Sequence, residues 1–405
     1  MLIPRMPSSA YGSELERRVA EVGNDLGLSF NRLLDSLSGA PHTSPQRLAT
    51  LLSQTIVMTS RLLKAVGLSD PIAITHYIPG PAPLRRLIEA AHKNGCSSST
   101  ANAAERAVED FEKLIREEAG DRSSLSAIIS AWLPEAQAEF KLRRKQSAFK
   151  AMSELRGASC EVNFSTMILG PTTEDQVIDI VNTQGMMGFH RMRPDARARF
   201  STKRMTQAED ERHPTNLKGV PVNGIDSVRL DQFCTRKPAH LEAHPCGNTV
   251  HYSLSGPDFG PKSKSDLVIA EVNLAEPLSR GKSHRPFFFH TIDVSTRKTQ
   301  FDLIVHRDLF GSKGPELIMF DTTSSGPASV NDRTRDIDRI GRHYDLQDLG
   351  PGLAKLRTTD IPNYTELVFH IFQSLGWEPS DFSCYRFRNE FPVIGTQICM
   401  AFDAE

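Results

Sequence analysis

Two cysteines and two histidines in the second half of the chain are of the residue types that bind zinc. Cys234, His240, His244 and Cys246 follow the spacing Cys-x5-His-x3-His-x-Cys, which is not that of a standard zinc finger. Pro238 and Pro245 favour a loop for this segment. The set is therefore a candidate metal site, and the alternative is an exposed loop with incidental histidines.

A group of arginines could bind an anion. The segment RMRPDARARFSTKR, residues 191–204, holds six Lys or Arg residues against one Asp. We take Arg191, Arg193, Arg197 and Arg199 as candidate anion-binding residues. Arg197 and Arg199 alternate with Ala198 and Phe200, so one face of a strand could present both guanidinium groups. The alternative is a solubilising strand face that pairs with acidic residues elsewhere.

The other reactive residues do not form a known catalytic motif. His306-Arg307-Asp308 copies the start of a kinase catalytic loop, but Lys313 replaces the required asparagine. A nucleophile elbow, a phosphate-binding loop and a dinucleotide fingerprint are all missing from the sequence. His190, His284 and His290 are scattered among predicted strands, and the sequence cannot pair them with Asp293, Asp302 or Asp321. The sequence gives no positive case for an enzyme and predicts no cofactor.

Length and composition limit the classes of protein. A chain of 405 residues is long enough for two or three domains, each with its own core. The formal net charge of -1 means that any nucleic-acid binding depends on a local basic face. No apolar run reaches the roughly 18 residues of a membrane span, and the N-terminus lacks the apolar core of a secretory signal. The six cysteines are sparse, so we expect free thiols in a cytoplasmic protein without membrane segments.

The clearest local pattern lies between Ser44 and Leu87. Ser44 followed by Pro45 is typical of a helix start, and a polar break at 53–55 separates this helix from a second one over residues 56–66. Gly67 supplies the stop of the second helix. The run from Ile72 to Ile78 has partial alternation and predicts a strand, with a turn at residues 79–81. The order is helix, turn, helix and β-ribbon.

This order resembles the winged helix-turn-helix of bacterial regulators, broadly of the multiple-antibiotic-resistance and gluconate-repressor types. The resemblance is carried by residues 48–68, in which Ser60-Arg61-Leu62-Leu63-Lys64 stands where such regulators have a serine, an arginine and two apolar residues. In the family the second helix enters the major groove, and the wing touches a phosphate or the minor groove. The resemblance implies a homodimer that binds double-stranded DNA. The implied DNA contacts are Thr55, Thr59, Arg61 and Lys64, with His76 on the wing.

One feature of the second helix departs from the family. Ile56, Val57 and Met58 occupy positions that a DNA-reading helix usually fills with polar or basic residues. Three consecutive apolar side chains cannot all be buried by one helix face. The alternative is a winged helix that packs on protein.

Beyond residue 160, short extended runs alternate with turn residues, and one clear helix covers Tyr364 to Leu375. The predicted strands are 162–169, 177–181, 197–202, 249–254, 267–272, 287–294, 301–306, 317–320, 383–389 and 398–402. We therefore predict the α+β class. An N-terminal all-α or winged-helix module covers residues 1–96, a helical connector covers 97–157, and a β-rich domain with a mostly antiparallel sheet covers 158–405.

The leading functional hypothesis is a DNA-binding transcriptional regulator. Its C-terminal domain would sense a small-molecule effector of unknown identity or bind a partner. The first alternative is a protein-interaction module whose winged helix packs on protein. The second is an enzyme built on the C-terminal β domain.

Overall fold

The computed structural model describes residues 13–37, 44–171, 177–204, 214–222, 224–235, 240–246, 249–256, 258–260, 263–277, 284–311, 313–341 and 344–404. It confirms the α+β class, with a helical N-terminal region and a β-rich C-terminal part. The chain divides into two compact units, Met1–Arg143 and Arg144–Glu405. Within the described ranges, no helix has the length and apolar character that crossing a membrane requires.

The N-terminal unit is built from helices, and all but the last of them share one apolar core. They are α1 (Glu14–Asp35), α2 (Pro45–Leu51), α3 (Ile56–Val66), α4 (Pro71–Tyr77), α5 (Pro81–Lys93), α6 (Ser98–Glu118), α7 (Arg122–Ser130) and α8 (Pro134–Arg156), whose last part belongs to the C-terminal unit. Phe30 of α1, Leu62 of α3, Phe111 of α6 and Leu125 of α7 are fully buried in this core. The helices that follow residue 96 therefore share a core with the predicted helix-turn-helix.

Side-chain caps explain where α2 and α3 begin. The hydroxyl of Ser44 accepts a hydrogen bond from the backbone of α2, and that of Thr55 accepts one from the Met58 N–H. Between the two helices Ser53 takes a left-handed conformation with φ 50°, which turns the chain sharply. The predicted helix, turn and helix are confirmed.

The predicted wing is wrong. Residues 72–78, expected to form a strand, lie almost entirely in α4. Asp70 caps this helix, with its carboxylate 2.9 Å from the Ile72 N, and Pro71 occupies the first turn. On α1, a Cβ at Gly23 would lie 1.9 Å from the Pro71 carbonyl oxygen, so only glycine allows this close packing. Burial against α1 overrides the strand preference of the β-branched residues.

The C-terminal unit contains one large sheet and two small ones. The strands are β1 (Ala158–Pro171), β2 (Val177–Arg191), β3 (Ala198–Arg204), β4 (His240–Cys246), β5 (Thr249–Ser255), β6 (Ser265–Pro277), β7 (Phe287–Thr291), β8 (Thr296–His306), β9 (Glu316–Asp321), β10 (Gln347–Pro351), β11 (Phe382–Glu390) and β12 (Thr396–Ala401). Their orders are β10-β11-β8-β1-β2-β6, β7-β12-β9 and β3-β5-β4. Apart from the parallel pair β1 and β8, the neighbours are antiparallel, as predicted.

Both faces of the large sheet are covered. One face packs on helix α9 (Tyr364–Leu375), where Phe164 of β1 meets Ile371 and Phe372. The other face packs on β7 and β12, where Phe301 of β8 lies in one core with Ile398. Helix α9 has the predicted bounds and ends at Gly376, whose φ of 68° is left-handed.

Each predicted strand overlaps an observed one, but β4 and β10 were not predicted. Pro238 and Pro245 had favoured a loop between Cys234 and Cys246. Pro245 instead lies within β4, at the edge of the three-stranded sheet. An edge strand tolerates proline because one side of its backbone has no strand to donate to.

A buried ion pair connects the large sheet to α9. The Arg386 guanidinium donates to Asp302, with its Nη2 2.6 Å from Oδ2, and both side chains are excluded from solvent. The Tyr364 hydroxyl donates to the same carboxylate at 2.5 Å, and the Thr166 hydroxyl lies 2.6 Å from that of Tyr364. Burial and the Asp302 charge raise the pKa of Tyr364 well above its usual value, so it stays a neutral donor.

We predict that Arg386→Met destabilises the C-terminal unit by about 3–5 kcal/mol, because it leaves the Asp302 carboxylate buried without its cation. The measurement is urea unfolding followed by the fluorescence of Trp377, which packs on Phe382 in this unit. Arg307→Met is the control: Arg307 is 66% exposed in its ion pair with Asp381, so its loss should cost less than about 1 kcal/mol. Equal losses in the two variants would contradict the prediction.

Candidate functional site

The predicted DNA contacts on α3 have different environments. Thr59 is fully buried, and its hydroxyl donates to the Pro45 carbonyl oxygen of α2 at 2.8 Å. Arg61 and Lys64 are exposed, but both contact Tyr77: Arg61 Nε donates to the Tyr77 carbonyl oxygen at 2.8 Å, and Lys64 Nζ lies 4.5 Å from the ring centroid. Thr55 is exposed and caps α3. The solvent-facing polar groups are thus fewer than the sequence predicted.

His76 lies in α4 instead of on a wing and is only partly exposed. Burial, together with the charge of Arg122, lowers the pKa of His76 to about 4. The imidazole is therefore neutral near pH 7 and offers no charge to a phosphate.

The apolar residues at the start of α3 face solvent. Ile56 is 52% exposed and Val57 is 78% exposed, whereas Met58 packs against the core of the N-terminal unit. Isolated exposed apolar side chains are common, but two adjacent ones beside Arg61 and Lys64 form a mixed surface. We call Ile56, Val57, Arg61 and Lys64 the α3 surface.

The structure separates the four candidate metal ligands. Cys234 Sγ accepts a hydrogen bond from the Val268 N–H of β6 at 3.2 Å. His240 and His244 lie on β4, and His244 Nε2 is 2.8 Å from the Ser253 hydroxyl on β5. Among the residues that the structure describes, no group of three or more His, Cys, Asp or Glu residues could hold a metal ion.

The four candidate anion-binding arginines also differ in their environments. Arg191 is buried, and its guanidinium donates to backbone carbonyl oxygens, including those of Ala196 and Gly256. Its role is structural. Arg193 is paired with Asp195 at 3.3 Å. Arg197 and Arg199, in contrast, line a cavity.

This cavity has a volume of about 980 Å³ and lies between the large sheet, β3 and the β7 segment. Asn163 of β1 and Gln184 of β2 form part of its floor, and His290 of β7 lines it from the second sheet. The side chains of Thr322 and Thr323 belong to its rim, after β9. Its volume is in the range of clefts that bind small molecules.

Several buried polar atoms of the cavity wall lack a hydrogen-bond partner. Gln184 Oε1, His290 Nε2 and Ser201 Oγ are excluded from solvent and have no partner among the described residues. Leaving a buried polar group without a hydrogen bond costs about 1–3 kcal/mol. Because these atoms have almost no accessible surface, a ligand in the cavity could reach them only after a side-chain movement.

One end of the cavity carries charge. Asp293 lies there, and the Arg156 guanidinium donates to the Asp293 carbonyl oxygen at 3.2 Å. Burial raises the pKa of the Asp293 carboxyl, and the nearby charges of Arg199 and Arg156 oppose that rise. The Arg199 guanidinium has no hydrogen bond to any described residue and remains open to a ligand.

No family model, curated protein or solved structure matches this chain. Its function must therefore be argued from the cavity and the α3 surface. The sequence pointed to Arg197 and Arg199 but missed Asn163 and Gln184. The available signal was the placement of polar residues at alternate positions of otherwise apolar strands.

We predict that His290 makes the C-terminal unit sensitive to acid. Burial lowers its pKa to about 4 from the ordinary 6.5, so the unfolded chain binds one more proton between these values. The free energy of unfolding should therefore fall as the pH drops through this window, by up to about 1.4 kcal/mol per pH unit. His290→Gln should remove that contribution.

The measurement is urea unfolding followed by Trp377 fluorescence at several pH values between about 4 and 7. Phe289→Leu changes a non-titrating neighbour on β7 and should keep the wild-type pH dependence. The same slope in His290→Gln and in wild type would show that His290 does not bind the proton.

Proposed function

We propose that the C-terminal unit binds a small anionic ligand in the cavity. The observation that carries this proposal is the Arg199 guanidinium, which is exposed, lines the cavity together with Arg156 and has no hydrogen bond to any described residue. An anion-binding cavity would fit the effector-sensing domain expected from the sequence.

The charges of the lining favour an anion. Arg156, Arg197 and Arg199 stand against a single carboxylate, that of Asp293. Arg197 is partly neutralised because it lies 3.5 Å from Glu242 on β4. A positive excess remains at Arg156 and Arg199. A guanidinium can bind a carboxylate or a phosphate through two parallel hydrogen bonds, which are stronger than those between neutral groups.

We predict that inorganic phosphate and pyrophosphate bind the full-length protein at low salt, as measured by isothermal titration calorimetry. Arg199→Gln should weaken binding about tenfold or more, since it removes a charge-assisted hydrogen-bond donor. Arg307→Gln changes an arginine of the same unit that lies outside the lining, so it serves as the matched control and should bind as wild type does. Absence of binding heat, or equal affinity in Arg199→Gln and wild type, would overturn the proposal.

A second candidate function is the binding of double-stranded DNA by the N-terminal unit. It is supported by the helix-turn-helix geometry of α2 and α3 and by the positive charges near α3. Arg143 of α8 is close enough to Arg61 for its charge to help lower the pKa of Arg61, after the larger effect of burial. Arg61 uses its Nε on Tyr77, so its Nη groups can still donate to a phosphate.

We predict that random genomic duplex fragments are retarded in an electrophoretic shift at low salt. The combined change Arg61→Ala and Lys64→Ala should abolish the shift, because phosphate contacts supply most non-specific affinity. Ile56→Ser combined with Val57→Ser is the matched control on the same helix and should keep affinity within about twofold if basic groups hold the DNA.

The opposite pattern would favour the protein-interaction alternative. In that case the serine variant loses binding to a protein partner, and the duplex is not retarded even at low salt. A regulator of paired half-sites would also be a homodimer, which sedimentation measures directly.

A further inference from the structure

The charged end of the cavity holds a negative group beside its positive ones. Burial raises the pKa of the Asp293 carboxyl, and the charges of Arg199 and Arg156 oppose that rise, so the three groups lie near one another. His251, which also lines the cavity, adds a smaller effect of the same sign. The Asp293 carboxylate and the Arg199 guanidinium nevertheless form no ion pair and no hydrogen bond with each other or with another described residue. Two opposite charges in one cavity are therefore both left for a ligand.

The backbone on both sides of the Asp293 side chain is anchored. Ile292 and Val294 are buried. The Ile292 N–H donates to the Thr396 carbonyl oxygen at 2.9 Å, and the Arg156 guanidinium donates to the Asp293 carbonyl oxygen at 3.2 Å. Only rotation of the short side chain can therefore move the carboxylate, which keeps it at this end of the cavity.

Arg199 is attached to the same apolar cluster. Ala198 and Phe200, its neighbours on β3, are buried in one cluster with Val294, the neighbour of Asp293. Arg199 itself is exposed. Because the two segments share this cluster, the positive and the negative side chain stay at the same end of the cavity.

A simple anion matches only one of the two charges. At Arg199 it would lie near the Asp293 carboxylate, and like charges repel. A ligand that carries an anionic group and an ammonium group would match both. A guanidinium binds a carboxylate through two parallel hydrogen bonds, and an ammonium group has three N–H donors for the carboxylate of Asp293.

We propose that the ligand of the cavity is a small zwitterion, a free amino acid. Its carboxylate binds Arg199 and Arg156, and its ammonium group binds Asp293. The inference rests on the proposed anion binding and adds the cationic group of the ligand. The cavity volume of about 980 Å³ leaves room for a side chain.

The test uses isothermal titration calorimetry with the full-length protein near pH 7. The probes are the common α-amino acids, together with β-alanine and γ-aminobutyrate, which space the two charges more widely. Each amino acid is compared with its des-amino acid, which lacks the ammonium group, and with its amide, which lacks the carboxylate. We expect at least one amino acid to bind about tenfold or more tightly than both of its derivatives, since each derivative loses a charge-assisted interaction.

Asp293→Asn gives a readout that a general loss of structure cannot imitate. It should weaken the amino acid about tenfold or more, because the ammonium group loses its charged partner. Inorganic phosphate should bind at least as tightly as it does to wild type, because a nearby negative charge is removed. Asp381→Asn is the matched control: Asp381 is paired with Arg307 outside the lining, so both ligands should bind as they do to wild type.

The outcomes separate the two proposals. If phosphate binding does not depend on Arg199, the anion proposal is overturned and the zwitterion inference with it. If phosphate binding depends on Arg199 but no amino acid binds more tightly than its des-amino acid, anion binding stands and the inference is overturned. Asp293→Asn also overturns the inference if it leaves the amino acid affinity unchanged or weakens phosphate as much as the amino acid.

Discussion

The buried ion pair between Asp302 and Arg386 is the constraint on which the C-terminal unit depends. Two charges without access to water are tolerated only if their geometry is correct and their remaining hydrogen bonds are made. Asp302 is paired in register with Arg386 on one side and with Thr166 on the other, so the network fixes three adjacent strands against Tyr364 of α9. A slip of any of these strands by one residue would move its side chain to the opposite face. The network therefore helps to place Asn163 of β1 on the cavity side of the sheet.

Both faces of the large sheet contain buried polar groups. On the α9 face, the Asp302 carboxylate accepts from Arg386, Tyr364 and Gln300, and Arg386 also donates to a backbone carbonyl oxygen. Near the cavity, Gln184 and His290 keep buried atoms without partners. Thr183 of β2 lies opposite Thr166 on the α9 face, and its hydroxyl also lacks a partner among the described residues. Unpartnered buried polar atoms therefore occur on both faces of the large sheet.

Local signals in the sequence predicted the elements but not the site. Helix α9 was predicted with both ends because its apolar spacing and Gly376 are local features. The strand expected over residues 72–78 is a helix because Gly23, about fifty residues earlier, lets α4 pack closely on α1. The cavity was harder still to predict, because it also depends on contacts between residues that are distant in the sequence. Its polar groups come from separate strands, Asn163 from β1 and His290 from β7, and only the folded sheet brings them to one space. The sequence singled out Arg197, Arg199, His290 and Asp293, but it did not show that they share a cavity.

The arginines show why residue type alone could not decide between structural and binding roles. Arg122 and Arg191 were equally basic in the sequence, but each donates to several backbone carbonyl oxygens and closes a turn or a helix end. A guanidinium has five N–H donors. When several carbonyl oxygens accept from it, few donors remain for a ligand. Arg61 is intermediate: it is exposed, its Nε is bound to the Tyr77 carbonyl oxygen, and no hydrogen bond joins its Nη groups to a described residue. Arg199 lies at the other extreme, because it is exposed at the cavity and its guanidinium bonds to no described residue. All three arginines carry the same charge. They differ in the number of N–H donors that the fold leaves unused, which increases from Arg191 to Arg61 to Arg199. We therefore expect the capacity to bind an anion to increase in the same order.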